Sequence, residues 1–162
     1  MCIVGPVRLL DQRFHPLLGG SDAAVLSMHL DDGLSSQIGE LVAQQILPLY
    51  GRAILPELQA TFDPKGRSGH ARRLVLMHRL DPTASRDAVK QALDQGSKEV
   101  RIAAIGCLGE SPEDLPFLLE QAKARAKDVR TAALRALGSS KEKDAVKALC
   151  DTIGGADFTL AV

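Results

Sequence analysis

The stretch KEVRIAAIGCLGE at residues 98–110 returns as KDVRTAALRALGS at residues 127–139. A more divergent copy, RRLVLMHRLD, precedes both at residues 72–81. The arginines that the three copies share, Arg73, Arg101 and Arg130, lie 28 and 29 residues apart. Because self-similarity at a period of about 20–50 residues is typical of repeat architectures, this spacing predicts a chain built from stacked copies of one unit.

A second set of segments alternates with the first. It comprises AILPELQATF (53–62), DAVKQALDQG (87–96), DLPFLLEQAK (114–123) and DAVKALCDTI (144–153). Aligned on Pro56, Lys90, Pro116 and Lys147, these segments are 34, 26 and 31 residues apart. The two sets therefore agree on a period near 30 residues, which makes coincidence a poor explanation.

Apolar residues in these segments recur at helical spacing. At about 100° per residue, five residues of the second copy share one side of a helix, namely Val100, Ala103, Ala104, Cys107 and Leu108. Gly109 and Gly138 follow the last leucine of their copies, where a helix C-cap is expected. Each unit is thus predicted to be a helix pair, and one pair cannot bury its apolar side without stacking on others.

The repeated segments resemble HEAT-like repeats, in particular the short variety named after phycobilin lyases. The residues that carry the resemblance are VRIAAIGCLG, VRTAALRALG and the intervening LPFLLEQA. Pro56 and Pro116 match a proline that the family often has in its first helix, whereas Lys90 and Lys147 replace it. The period and the resemblance together predict an all-α, right-handed α-solenoid of stacked antiparallel helix pairs.

The resemblance also implies roles for the shared arginines. In the family the turn often carries an aspartate and the second helix opens with Val-Arg. Asp94 roughly matches that aspartate in the repeat that contains Arg101, and no equivalent precedes Arg130. We expect Arg73, Arg101 and Arg130 to be structural, each hydrogen-bonded to a carbonyl or carboxylate of the adjacent turn. The alternative is a row of cations that grips an acidic partner.

The chain divides into four predicted parts. These are an unassigned N-terminal segment (1–20), N-terminal capping helices (21–51), the HEAT-like repeats (52–153), and a tail or the start of a truncated further repeat (154–162). Within the second part a helix over 21–33 is followed by one over 35–51, which we expect to bend or break near Pro48. Segment 63–69, DPKGRSG, is the clearest loop and the expected flexible point. An alternative interpretation is that the sequence is a module of a longer chain.

Composition bounds the function. Aromatic residues make up 3% of the chain, with no Trp, and the formal net charge is zero, although residues 1–63 hold three Lys/Arg against seven Asp/Glu. Three cysteines form no close-spaced set, and Cys107 and Cys150 fall at apolar positions where we expect them to be buried. The absence of a secretory signal and of about 18 consecutive apolar residues predicts a cytoplasmic protein with no membrane partner.

The resemblance implies that the second helices line the concave side of the solenoid. Their outward positions form a predicted partner-binding stripe, which consists of His70, Leu74, His78, Lys98, Ile102, Gly106, Lys127, Thr131 and Arg135. The stripe is mildly basic with some apolar surface, which fits a protein or peptide better than a small molecule. We therefore expect a non-catalytic protein-interaction scaffold.

Residues 64–79 contain no acid and suggest an alternative partner. A candidate anion patch that could bind nucleic acid consists of Lys65, Arg67, Arg72 and Arg79. The affinity of such a patch for nucleic acid would fall steeply with salt. The scarcity of aromatic side chains for base stacking makes this reading the less favoured one. No phosphate-cradling loop, nucleophile motif or metal-ligand spacing occurs in the chain, so we expect no catalytic residue, no cofactor and no metal.

Overall fold

The computed structural model describes residues 36–153, which contain helices and turns but no strand. The predictions for residues 1–20, for a helix over 21–33 and for the tail over 154–162 lie outside the described residues. Eight α-helices are described: α1 (Ser36–Leu41), α2 (Leu55–Ala60), α3 (Ser68–Leu80), α4 (Pro82–Gln95), α5 (Lys98–Gly106), α6 (Leu115–Gln121), α7 (Lys127–Ser139) and α8 (Lys143–Ile153).

The helices form two layers. Helices α3, α5 and α7 pack side by side in the inner layer, and α2, α4, α6 and α8 form the outer layer. Helix α3 packs against α2 and α4, α5 packs against α4, and α7 packs against α6 and α8. Neighbours within the inner layer are closer than neighbours within the outer layer. Alanines at the core of α5 and α7, such as Ala104 and Ala133, permit that close approach. This is the all-α solenoid of helix pairs that the sequence predicts.

The two best-matching copies occupy equivalent environments. Four aligned pairs are buried in both copies: Ala104 and Ala133, Ile105 and Leu134, Cys107 and Ala136, and Leu108 and Leu137. Gly106 and its counterpart Arg135 are exposed in both. The duplicated sequences therefore form helices that bury the same side against their neighbours, as the repeat interpretation requires.

The segment before α2 is bent, as predicted, but the sharpest break is not at Pro48. Helix α1 continues into a π-helical turn (Val42–Ile46) and then a 3₁₀ segment (Leu47–Ile54) that contains Pro48 near its start. Proline is tolerated there because the first turn of a helix does not use its N–H. The helical segment is kinked at Gly51, which has φ +58° and is the only described residue with positive φ.

The predicted glycine caps are wrong. Helix α5 already ends at Gly106, and α7 continues through Gly138 to Ser139. Gly109 instead allows the loop after α5 to lie against α7, because a Cβ atom at this position would lie 2.1 Å from the backbone oxygen of Ala136. The loop after α5 thus approaches α7 so closely that only glycine fits without a shift of the backbone.

The 63–69 loop is fastened rather than loose. The Ser97 N–H donates to the Pro64 oxygen at 2.9 Å, and its hydroxyl donates to the Gly66 oxygen at 2.6 Å. The same hydroxyl accepts from the Val100 N–H at 3.3 Å and so caps α5. The hydrogen bonds join the turn between α4 and α5 to the loop before α3, and they argue against the flexibility expected from composition.

Candidate partner-binding surface

The predicted stripe lies at the surface on α5 and α7. Lys98, Gly106, Lys127 and Arg135 are exposed, and Ile102 and Thr131 are partly buried. Lys98 is not free, because its Nζ lies 3.1 Å from Oδ2 of Asp128 and so joins α5 to α7 across the inner layer. The Thr131 hydroxyl donates to the backbone oxygen of Lys127 at 2.9 Å. The two repeats thus present a row of cationic and small residues to solvent.

On α3 the predicted stripe is wrong in register. Leu74 is fully buried and is part of the hydrophobic core, so it contributes nothing to a surface. The exposed positions of α3 are Val75, whose relative accessibility is 48%, and Arg79. One residue is about 100° around a helix, so the solvent-facing side of α3 is rotated by that amount from the prediction.

The two stripe histidines are engaged in local structure. His70 Nδ1 accepts a hydrogen bond from the Asp63 N–H at 3.0 Å, and its ring centroid lies 6.4 Å from that of Phe62. His78 Nδ1 lies 3.4 Å from the hydroxyl of Ser85 in α4. Burial lowers the pKa of His78, nearby Glu110 raises it and Arg86 lowers it further. His78 is therefore mostly neutral at pH 7.

The three repeated arginines have three different environments. Arg73 has a relative accessibility of only 2%. Arg130 donates from Nη1 to the backbone oxygens of Ala124 and Arg125, each at 2.9 Å, which is the kind of turn contact that the resemblance implies. Arg101 is exposed, and no side-chain hydrogen bond or ion pair joins it to Asp94 or any other described residue. Because Arg73 is buried, the three do not form a row of exposed cations.

The four cations of the predicted anion patch are not one continuous surface. Lys65 and Arg67 are exposed in the loop before α3, and Arg79 is exposed in the last turn of α3. Between them, Arg72 Nε lies 3.3 Å from Oε2 of Glu40 in α1, and the Arg72 side chain is only 13% exposed. An ion pair therefore interrupts the positive charge along α3.

A groove that sequence reasoning missed lies beside this ion pair. It has a volume of about 240 Å³ and separates α3 from the helical segment over residues 36–46. Its lining is mainly apolar and consists of Glu40, Ala43, Gln44, Ala71, Arg72, Val75, Leu76, Arg79 and Ala103. The sequence signal for this groove was the size of Val75 and Arg79. Val75 aligns with an alanine in both other copies, and Arg79 aligns with a cysteine in one copy and an alanine in the other.

The cysteines differ in exposure. Cys107 is buried, as expected, and burial together with the nearby Glu110 raises the pKa of its thiol to about 12. Cys150 is exposed, contrary to the prediction, whereas Ala145, Ala148 and Leu149 are the residues of α8 that contact the core. Among residues 36–153, no group of three or more His, Cys, Asp or Glu side chains is placed to hold a metal ion. Within the same range, no helix is both long and apolar enough to cross a membrane.

Comparison with known protein families agrees with this architecture. A family model described as HEAT repeats matches residues 86–159. Residues 86–159 of the chain are HEAT repeats. The matched range begins within α4 and includes the inner helices α5 and α7. HEAT repeats are generally protein-interaction scaffolds. No curated protein and no solved structure matches the chain.

Proposed function

We propose that this HEAT-repeat protein is a non-catalytic scaffold that binds a peptide or protein partner along the exposed side of its inner layer. The observation that carries the proposal is the row of equivalent exposed positions on α5 and α7. Lys98 and Lys127 occupy the same place in successive copies, as do Gly106 and Arg135, and all four face solvent. Side chains that recur at one repeat spacing offer an extended partner the same contact more than once.

Two further features support the inner layer as the binding side. Its helices are closer together than those of the outer layer, which is the arrangement expected on the concave side of a curved row of helix pairs. A Cβ atom at Gly106 would have no neighbour within 4 Å, so the surface there is open enough for a partner backbone. HEAT repeats are generally non-catalytic, and the proposal assigns no residue a chemical step.

The test compares charge-matched variants on the two layers. The inner-layer double variant Gly106→Arg and Arg135→Glu changes the net charge by the same amount as the outer-layer control Gln91→Arg and Lys147→Glu. All four residues are exposed, so we expect neither variant to lower the melting temperature. Affinity capture with quantitative mass spectrometry should lose the wild-type partner with the inner-layer variant and keep it with the control. Equal recovery by both variants would contradict the proposal.

The nucleic-acid interpretation stays a prediction of second rank. The Arg72–Glu40 ion pair leaves the cations of α3 divided, which weakens a continuous contact with phosphates. Binding to random duplex DNA that falls steeply with salt would favour nucleic acid over a protein partner.

A further inference from the structure

The groove beside α3 interrupts the repeat pattern. In α7 the positions aligned with Val75 and Arg79 are Ala132 and Ala136, and both are buried. On α3 the corresponding side chains are larger and exposed, because the segment over 36–46 covers this side of α3 only in part. Among residues 36–153, the side of an inner helix that is closed by packing in α7 is therefore open on α3.

The size and lining of the groove fit one apolar side chain. An apolar cavity of about 150 Å³ is enough to hold benzene, so a groove of about 240 Å³ can take a leucine or phenylalanine side chain. Ala43, Ala71 and Ala103 supply small apolar surfaces, and Leu76 and Val75 supply larger ones. Burial of Val75, which is now 48% exposed, would add to the hydrophobic gain on binding.

The charge at the groove favours an acidic partner. Arg79 is exposed at its rim, and no ion pair joins Arg79 to any described residue. Glu40, the one acid in the lining, is already paired with Arg72. Arg79 lies four positions after Val75, which is about 6 Å along a helix at ~1.5 Å per residue. Two residues of an extended peptide cover about the same distance.

We propose that this groove docks a short acidic peptide of a partner through one aliphatic or aromatic side chain. A carboxylate two residues from that anchor in an extended peptide, or one turn away in a helix, pairs with Arg79. The inference rests on the proposed function and extends it, because it names the chemistry of the partner and places an anchor at the α3 end of the inner layer.

The test uses defined synthetic peptides. The probe is a fluorescent nine-residue peptide with a central phenylalanine, glutamates two residues to either side and serine elsewhere. Two matched peptides replace the glutamates with lysines or the phenylalanine with serine. We expect fluorescence anisotropy to show saturable binding of the acidic peptide to the full chain, and at least tenfold weaker binding of both matched peptides.

Variants of the protein assign the binding to the groove. Arg79→Glu should weaken the affinity for the acidic peptide at least tenfold and should increase the affinity for the lysine peptide. The control variant Lys90→Glu makes the same charge change at an exposed position of α4 and should leave both affinities unchanged. Val75→Gln should weaken the acidic peptide without a change of charge. Because Val75 and Arg79 are exposed, circular dichroism melting should match the wild type for each variant.

Three results would overturn the inference. Equal affinity for the acidic and lysine peptides would remove the role of Arg79, and unchanged affinity in Val75→Gln would place the anchor elsewhere. A dimer in analytical ultracentrifugation that Val75→Gln dissociates would make a second copy of the chain the occupant. If the acidic peptide does not bind while the inner-layer double variant still loses the wild-type partner, the inference about the groove is wrong and the proposed function is unaffected.

Discussion

Arg86 in α4 and Asp114, which lies 28 residues further along the chain, are joined by a close ion pair with 2.7 Å between Nη1 and Oδ2. Nη2 also contacts Oδ1 of Asp114 at 3.1 Å and Oε1 of Glu113 at 2.6 Å. These contacts fasten α4 to the turn that begins α6, and thus join one repeat to the next. The hydrogen bond from Arg86 to Asp114 is the main reason that the pKa of Arg86 is raised.

We expect Asp114→Ala to lower the free energy of unfolding by about 1–3 kcal/mol, since it removes charge-assisted hydrogen bonds from a mostly buried carboxylate. Glu113→Ala is the matched control, because that side chain is 74% exposed and its loss should cost less than about 1 kcal/mol. Urea unfolding of both variants measures the difference. Equal losses of unfolding free energy in the two variants would show that the ion pair with Asp114 contributes no more stability than the contact with Glu113.

Two glycines should respond in opposite directions to alanine. Gly51→Ala should destabilise by about 1–2 kcal/mol because φ is +58°, where a Cβ atom is disfavoured. Gly106→Ala should be neutral or should stabilise by up to about 1 kcal/mol, because Gly106 lies in α5 with no obstacle within 4 Å. Thermal melting distinguishes the two, and a loss of stability in Gly106→Ala would contradict the described geometry of α5.

Thiol labelling should separate the two described cysteines. In a Cys2→Ser background, Cys150 should react quickly with a thiol reagent at pH 8, and Cys107 should react only after denaturation. The reason is that Cys107 is buried and its thiol pKa is raised to about 12, which leaves little thiolate in the folded protein. Peptide mass spectrometry of partly labelled protein assigns each site. Rapid labelling of Cys107 under native conditions would show that the packing of α5 is wrong.

The stability of the fold should fall as the pH is lowered through the ordinary histidine pKa of 6.5. Burial lowers the pKa of His78 in the folded protein, so between 6.5 and that lower value the unfolded chain binds more protons than the folded chain. His78→Gln should reduce this slope, whereas His70→Gln is the control for a second histidine on α3. Urea midpoints between pH 5 and pH 7.5 measure it, and an unchanged slope in His78→Gln would rule out His78 as its source.

The periodicity alone was sufficient to predict the helix pairs and their stacking, because Ala104 and Ala133 repeat both in sequence and in burial. It was insufficient for the surface of α3. The repeat register predicts that Leu74 is exposed, but the burial of a helix position depends on which neighbouring helix covers it. Residues 36–46 cover α3 only in part, and Val75 and Arg79 are exposed instead of Leu74. The Arg86–Asp114 pair was also beyond prediction, since it depends on how the turn before α6 lies against α4.

The order of the inner helices can be measured directly. In a Cys2→Ser and Cys150→Ser background, spin labels are attached to cysteines introduced in pairs at Ala71, Glu99 and Asp128, which are aligned positions in the first turns of α3, α5 and α7. They report the spacing between these helices in solution. Packed helices lie about 8–10 Å apart, so a row predicts about that separation for each neighbouring pair and nearly twice as much between α3 and α7. A separation between α3 and α7 as short as that between neighbours would mean a closed bundle and would contradict the solenoid.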